Sequence, residues 1–284
     1  MWSLFNSLKI KRYQILERLH TTNKICVYKA FDNDNKKEVV IKDFYDKNEA
    51  RLESNNLKRV FNIPCCQKIR DEFLSLKSNY LVTDYYKNGT LLDYLIENDK
   101  IENNKNIEKI KYKMLVFRLL RPLYNLHQYN YAHLDIKPDN FVLHDEFQIY
   151  SKLYKNDFYL IDFYSLSKAN QELREHDNID FKYFTSSYLA PETKTKKQFN
   201  INTDMWGFGL ITYNILFREQ FIFNLEDEVE TYNGINEIKN DFFKKGNELG
   251  LSENFVSLLT NCFNLDARER TSSEELFKFL INNK

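Results

Sequence analysis

Within the run HLDIKPDN, His133 to Asn140, a carboxylate (Asp135), an amine (Lys137) and an amide (Asn140) stand at fixed offsets after a histidine. Asp135 has the chemistry to accept the proton of an attacking hydroxyl, Lys137 to neutralise charge building on a transferred phosphoryl group, and Asn140 to hold a metal ion. Phosphoryl transfer depends on positioning and charge stabilisation rather than covalent chemistry, so these are the residue types it recruits.

Such groups act only if a fold holds them. The chain has 284 residues, enough for one large domain or two small lobes. Its 41 basic and 41 acidic residues cancel, so no overall field argues for nucleic acid or an anionic membrane surface, and neither is expected as a partner. No apolar run reaches the roughly 20 residues of a membrane span, and MWSLFNSLKIKRYQIL, with no charged leader ahead of a long apolar stretch, is not expected to act as an export signal. The expectation is an unexported monomer of the cytoplasm, with the nucleus or a host cell's cytosol as alternatives. Cys26, Cys65, Cys66 and Cys262 lack C-x-x-C spacing and are read as reduced, buried thiols. Phe (23) and Tyr (19) are abundant while Gly (6) and Pro (4) are scarce, which supplies apolar area for a core.

The first part of the chain reads as strands around one helix. Tyr13 to Leu19, Lys24 to Phe31 and Glu38 to Asp43 show strand-like alternation, with a polar turn over Asp32 to Lys37. Asp46 to Val60 carries Ala50, Glu53, Leu57 and Val60 at helical offsets, and strands follow at Ile69 to Leu76 and Tyr80 to Tyr85. Beyond Leu91 the pattern is helical. Ile107 to Tyr129 presents Ile110, Met114, Phe117, Leu120, Leu123 and Tyr124 on one face, and helices dominate from Thr203. The expected architecture is α+β: a small β-rich N-lobe with one main helix (about 1–84), a hinge (about 84–90) and a larger helical C-lobe (91–284).

HLDIKPDN resembles the catalytic loop H-R-D-x-x-x-x-N of eukaryotic-type protein kinases. Further landmarks of that family follow the same order. EVVIK ends on Lys42, like the strand whose lysine reaches the α/β-phosphates of ATP. Glu53, or Glu49 as runner-up, stands where the family pairs a helical glutamate with that lysine. IDFY (161–164) resembles D-F-G, and TSSYLAPE (185–192) the end of an activation segment. DMWGFGL (204–210) resembles the start of the central helix, its Asp204 bracing the catalytic loop, and Arg270 the partner of Glu192. The resemblance runs from Lys42 to Arg270; DIKPDNF is most like the casein-kinase branch, from which the intact A-P-E departs.

The resemblance implies one protein kinase domain over 1–284 with a two-lobed fold, ATP and Mg2+ as cofactors, and a protein substrate. It places ATP between the lobes, with the adenine edge on the backbone of Asp84 to Tyr86, and with Val27, Val40, Thr83 and Val142 around the base. Lys42, held by Glu53, would reach the phosphates; Asn140 and Asp162 would hold magnesium; Asp135 and Lys137 would be catalytic.

Three departures stand out. Residues 1–88 contain no glycine, and the three glycine positions of the phosphate loop fall on His20, Thr22 and Ile25, with Lys24 as a candidate compensating contact. Tyr164 replaces the glycine of D-F-G, at a cost of about 1 kcal/mol if that position needs positive φ. Leu134 replaces the arginine of H-R-D, so an activation-loop phosphate lacks a local partner. The readings are a Ser/Thr protein kinase, suggested by Lys137; a pseudokinase scaffold, suggested by the departures; and a small-molecule kinase, disfavoured by Lys137 and TSSYLAPE.

Overall fold

The computed structural model describes residues 9–75, 79–99, 109–144, 158–170, 172–175, 186–225 and 227–283. The chain divides into two units, Met1–Lys87 with Ile161–Tyr164, and Asn88–Leu160 with Ser165–Lys284.

The first unit is built on six strands: β1 (Lys9–Ile10), β2 (Tyr13–Thr21), β3 (Ile25–Asp32), β4 (Lys37–Phe44), β5 (Ile69–Leu74) and β6 (Asn79–Asp84). They form one antiparallel sheet of order β1-β2-β3-β4-β6-β5. Alternate residues point to opposite faces, so Tyr13, Ile15, Ala30, Val39, Ile41 and Val82 bury one face together. The β3–β4 turn is set by Asp32, whose carboxylate accepts from the backbone N–H groups of Asp34 and Asn35, while Lys36 takes the left-handed φ of 51°.

Helix α1 (Lys47–Arg59) starts where Asp46 accepts from the N–H groups of Asn48 and Glu49, with Lys58 and Arg59 in the last turn opposite the dipole's negative end. Its buried residues are Ala50, Glu53, Ser54, Asn56 and Leu57. The strand and helix expectations hold here within a residue or two at each end; Leu76 lies outside the described residues.

The second unit contains α2 (Leu91–Asp99), α3 (Lys109–Gln128), β7 (Tyr131–Ala132), β8 (Phe141–Leu143), β9 (Phe158–Leu160), β10 (Ser167–Lys168), β11 (Arg174–Glu175), α4 (Pro191–Lys196), β12 (Gln198–Phe199), α5 (Thr203–Phe217), α6 (Glu228–Glu248), α7 (Glu253–Thr260) and α8 (Ser273–Asn282). Together the sheet unit and the helical unit make an α+β chain.

The apolar face expected for α3 is present at Leu120 and Leu123 and is wider than expected, while the side chain of Ile110 lies outside the described residues. Val116, Leu119, Leu120, Leu123 and Leu126 are the deeply buried residues, whereas Met114, Phe117 and Tyr124 are half-buried. Phe117 and Tyr124 instead stack on Phe277 of α8, at ring centroid distances of 5.1 and 3.8 Å. The face was wider than one stripe because a second helix covers its flank. Helix α5 is buried almost throughout, and its Trp206 packs against Phe223 and Phe263. Among the described residues no helix is long and apolar enough to cross a membrane. All four cysteines are buried and none is in a disulfide, and burial pushes the Cys262 thiol up to about 12.

Candidate active site

In the sheet unit, Val27 lies opposite Lys42, and Val40 opposite Thr83 in the next row. Directly paired residues share a face, so Val27, Val40, Lys42 and Thr83 line the face opposite the Tyr13–Val82 core. Thr83 is fully buried and accepts from Gln67 Nε2 at 3.1 Å. Asp84 pairs with Val39 and therefore faces the other way, where it binds Arg70 at 2.6 Å and Lys37 at 3.3 Å. Tyr86 follows β6 and is half-buried.

Lys42 Nζ lies 2.5 Å from Glu53 Oε1 and 3.5 Å from Asp162 Oδ1. Burial alone would lower the Lys42 pKa, but Asp162 and Glu53 outweigh it and hold the ammonium above its ordinary value. Burial pushes the Glu53 carboxyl up while Lys42 pulls it back. Glu49, the runner-up, is engaged elsewhere: it receives Lys24 at 2.8 Å. Lys24, expected to compensate for the missing glycines, is thus tied to α1, with its Nζ 5.7 Å from the centre of the Tyr164 ring.

The β2–β3 loop uses its own polar groups. Thr22 N–H donates to Ile25 O, and the Thr22 hydroxyl accepts from the N–H groups of Lys24 and Ile25. Three amides of the segment that carries glycines in the resembling family are therefore already hydrogen-bonded within the loop.

The cost attached to Tyr164 does not arise. The left-handed φ of the IDFY segment falls on Asp162, at 64°, and Tyr164 is not among the positive-φ residues. A short polar side chain adopts that region more readily than an aromatic one. The segment is fixed by Asn56 of α1, a fully buried residue whose Nδ2 donates to Phe163 O at 2.9 Å and to Tyr164 O at 3.2 Å. Sequence reasoning missed Asn56. Its signal was a polar residue three positions after Glu53 on the helix face that also carries Ala50 and Leu57.

In the helical unit, β7 and β8 bracket the loop bearing Asp135, Lys137 and Asn140. Lys137 Nζ is 2.8 Å from Asp135 Oδ2. Asn140 Nδ2 donates to the same oxygen at 2.9 Å and to Asp135 O at 2.7 Å. Pro138 opens the single helical turn that ends on Asn140, and this folds the amide back onto the carboxylate. Val142 lies in β8, buried and paired with Tyr159.

The loop is held from beneath by α5. Asp204 accepts from the N–H groups of His133 and Leu134, each at 2.7 Å, and contacts His127 Nε2 at 3.1 Å. A Cβ on Gly207 would lie 2.5 Å from Ile136 O, so only glycine lets the helix approach this closely. Ser165 Oγ donates to His133 O at 2.7 Å. Leu134 is buried with Ala132, Ala169, Phe199 and Ile201, at a φ of 66°. An apolar side chain at this position anchors the loop inward.

A second buried pair braces the end of TSSYLAPE. Arg270 donates from both terminal nitrogens to the two Glu192 oxygens, at 2.7 Å each, with Thr203 Oγ1 adding a bond at 2.9 Å. The bidentate geometry satisfies both charges away from water. Thr185, the first residue of TSSYLAPE, lies outside the described residues. Among the described residues no group of three or more His, Cys, Asp or Glu is arranged to hold a metal ion. Asp162 offers a carboxylate that is 39% exposed, and Asn140, whose amide nitrogen is taken by Asp135, offers its carbonyl oxygen.

The family model of the protein kinase domain matches residues 13–279. Among similar proteins, "Serine/threonine-protein kinase 17A" of Oryctolagus cuniculus is 28% identical over 182 residues, 58% of this chain and 42% of that protein. "Serine/threonine-protein kinase 1" of Heliothis zea nuclear polyhedrosis virus is 28% identical over 149 residues, 52% of this chain and 48% of the viral protein. The matches span less than half of either relative. The family model, by contrast, takes in both the Lys42–Glu53–Asp162 cluster and the Asp135 loop, and the chain belongs to the protein kinase domain family.

Proposed function

We propose that the chain is an ATP-dependent protein kinase that phosphorylates serine or threonine hydroxyls. One observation carries the reading: Asp135 is held by Lys137 and Asn140 in an arrangement suited to orienting an acceptor hydroxyl. In this reading Asp135 accepts the hydroxyl proton, and Lys137 steadies the transferred phosphoryl group. Lys42, kept charged by Glu53, binds the α/β-phosphates, and Val27, Val40, Thr83, Val142 and the backbone of Asp84 to Tyr86 take the adenine. Asp162 and Asn140 are the ligands for Mg2+, which when bound neutralises charge on the phosphates. The Ser/Thr assignment is supported by Lys137 and by the names of the two relatives.

A second reading, a pseudokinase that serves as a binding module, is favoured by the internally bonded amides of Thr22, Lys24 and Ile25. The amides that glycine-rich loops offer to phosphate are occupied here.

Transfer of radiolabelled phosphate from Mg-ATP to the chain itself, to casein and to myelin basic protein separates the readings. The kinase reading expects labelled phosphoserine or phosphothreonine that vanishes in Asp162→Ala. No transfer at millimolar ATP by folded protein, together with unmeasurable ATP binding, leaves the scaffold.

A further inference from the structure

Glu49, Glu53 and Asn56 stand at i, i+4 and i+7 on α1 and so form one polar stripe along the helix. Each engages a different segment: Glu49 the β2–β3 loop through Lys24, Glu53 strand β4 through Lys42, and Asn56 the backbone after Asp162. We propose that Asn56 is a positioning residue whose side-chain amide latches the Asp162–Tyr164 segment to α1, presenting the Asp162 carboxylate to Lys42 without any need for phosphorylation of the chain.

The geometry supports a latch rather than incidental packing. A buried primary amide has two donors to satisfy, and both go to the successive carbonyls of Phe163 and Tyr164. One amide reaches two consecutive carbonyls only if the backbone turns between them, and the chain does turn at Tyr164 and Ser165, two residues after Asp162 with its φ of 64°. The amide cannot flip without loss, because its oxygen accepts from Arg59 NH1 at 3.0 Å. Glu53 and Asn56 ride on the same helix. Any movement of α1 that opens the Lys42–Glu53 pair therefore also pulls on the segment that carries Asp162.

The latch also fits the two departures nearest to it. Tyr164 lies where a glycine would loosen the segment, and its backbone carbonyl is one of the two that Asn56 holds. By the resemblance to H-R-D, Leu134 stands where an arginine would receive a loop phosphate. A chain with its own latch has less use for one made by modification.

The role of Asp162 in transfer rests on the kinase reading, but the latch itself can be read without transfer. Hydrogen–deuterium exchange over residues 161–166 is compared in the wild type, Asn56→Leu, Asn56→Asp and Asn56→Gln. Loss of both donors in Leu and Asp is expected to speed exchange there about tenfold, with Gln restoring part of the protection. Exchange within twofold of wild type in folded Asn56→Leu and Asn56→Asp overturns the latch. If these buried-site variants do not fold, Arg59→Ala, at an exposed position, frees the amide to rotate and is expected to speed the same exchange to a smaller degree; unchanged exchange in Arg59→Ala overturns it too. In transfer assays kcat is expected to fall about tenfold with KM for ATP changed less than about twofold, and phosphatase treatment of the wild type to leave its rate unchanged. Altered exchange in a chain that transfers no phosphate upholds the latch and sinks the kinase reading. A wild-type rate abolished by phosphatase overturns independence from phosphorylation.

Discussion

Two lysine–carboxylate clusters in this chain are built in opposite ways. Lys137, Asp135 and Asn140 come from six consecutive residues, and one helical turn opened by Pro138 folds the amide onto the carboxylate. Lys42, Glu53 and Asp162 come from a strand, a helix and a segment about 120 residues further on, and Glu53 is almost wholly removed from water. The local cluster requires from the fold only that its backbone be anchored, which Asp204, Ser165 and the buried Leu134 do. The dispersed one requires α1 to be in place, since Glu49, Glu53 and Asn56 all hang from it. A local cluster is expected to fail chemically when mutated, and a dispersed one to fail structurally as well.

The largest expected effect tests the first half of that contrast. Asp135→Asn keeps the shape of the loop and removes the base, so kcat is expected to fall by a factor of about 10² to 10⁴ with the thermal midpoint nearly unchanged. Parallel transfer assays and calorimetry check this, and full turnover in Asp135→Asn would dismiss the assigned role.

Glu53→Ala tests the second half. It leaves Lys42 buried with only the longer contact to Asp162, and a loss of about 3 kcal/mol, the low end for a broken buried pair, is expected in urea unfolding. A loss under about 1 kcal/mol would mean that Asp162 alone satisfies the lysine, and that the dispersed cluster is less interdependent than its geometry suggests.

Removing the cap of α1 touches the same cluster from further away. Asp46→Ala forfeits two hydrogen bonds to the first turn and is expected to cost about 1 kcal/mol. Faster exchange along α1 with unaltered exchange in the Asp135 loop would separate the two clusters experimentally.

The smallest effect concerns a local pair that belongs to neither cluster. The hydrogen bond from Arg268 holds the Asp266 carboxyl down at about 2, against an ordinary value of 3.8. A depressed carboxylate contributes stability above its unfolded pKa and loses it as pH falls through the folded one. The contribution is therefore present above about pH 4 and disappears towards pH 2, and because Arg268 is exposed it is expected to stay below about 1 kcal/mol. Asp266→Asn is expected to flatten that part of the acid unfolding curve and leave neutral stability nearly unchanged.

The contrast between the clusters also describes what was legible in the residues. The grouping of Asp135, Lys137 and Asn140 was legible in HLDIKPDN because these residues are near neighbours, and backbone geometry over six residues leaves them few places to go. The strands and α1 were legible because alternation and capping are short-range signals, present at Tyr13, Ile15 and Asp46. The full width of the α3 face was not, because Phe117 and Tyr124 are covered by Phe277 of α8, about 150 residues away.

By itself, then, the sequence determined the order of the landmarks, the residue types that could move a phosphoryl group and the α+β class. Only the tertiary structure decided that Lys42 takes Glu53 rather than Glu49, that Lys24 turns to α1, that the left-handed residue is Asp162 rather than Tyr164, and that Asn56 holds the segment following it. Lys42, for one, chooses between two carboxylates a single helical turn apart on α1. Such choices depend on helix rotation and backbone turn, which packing between distant segments fixes and local sequence does not.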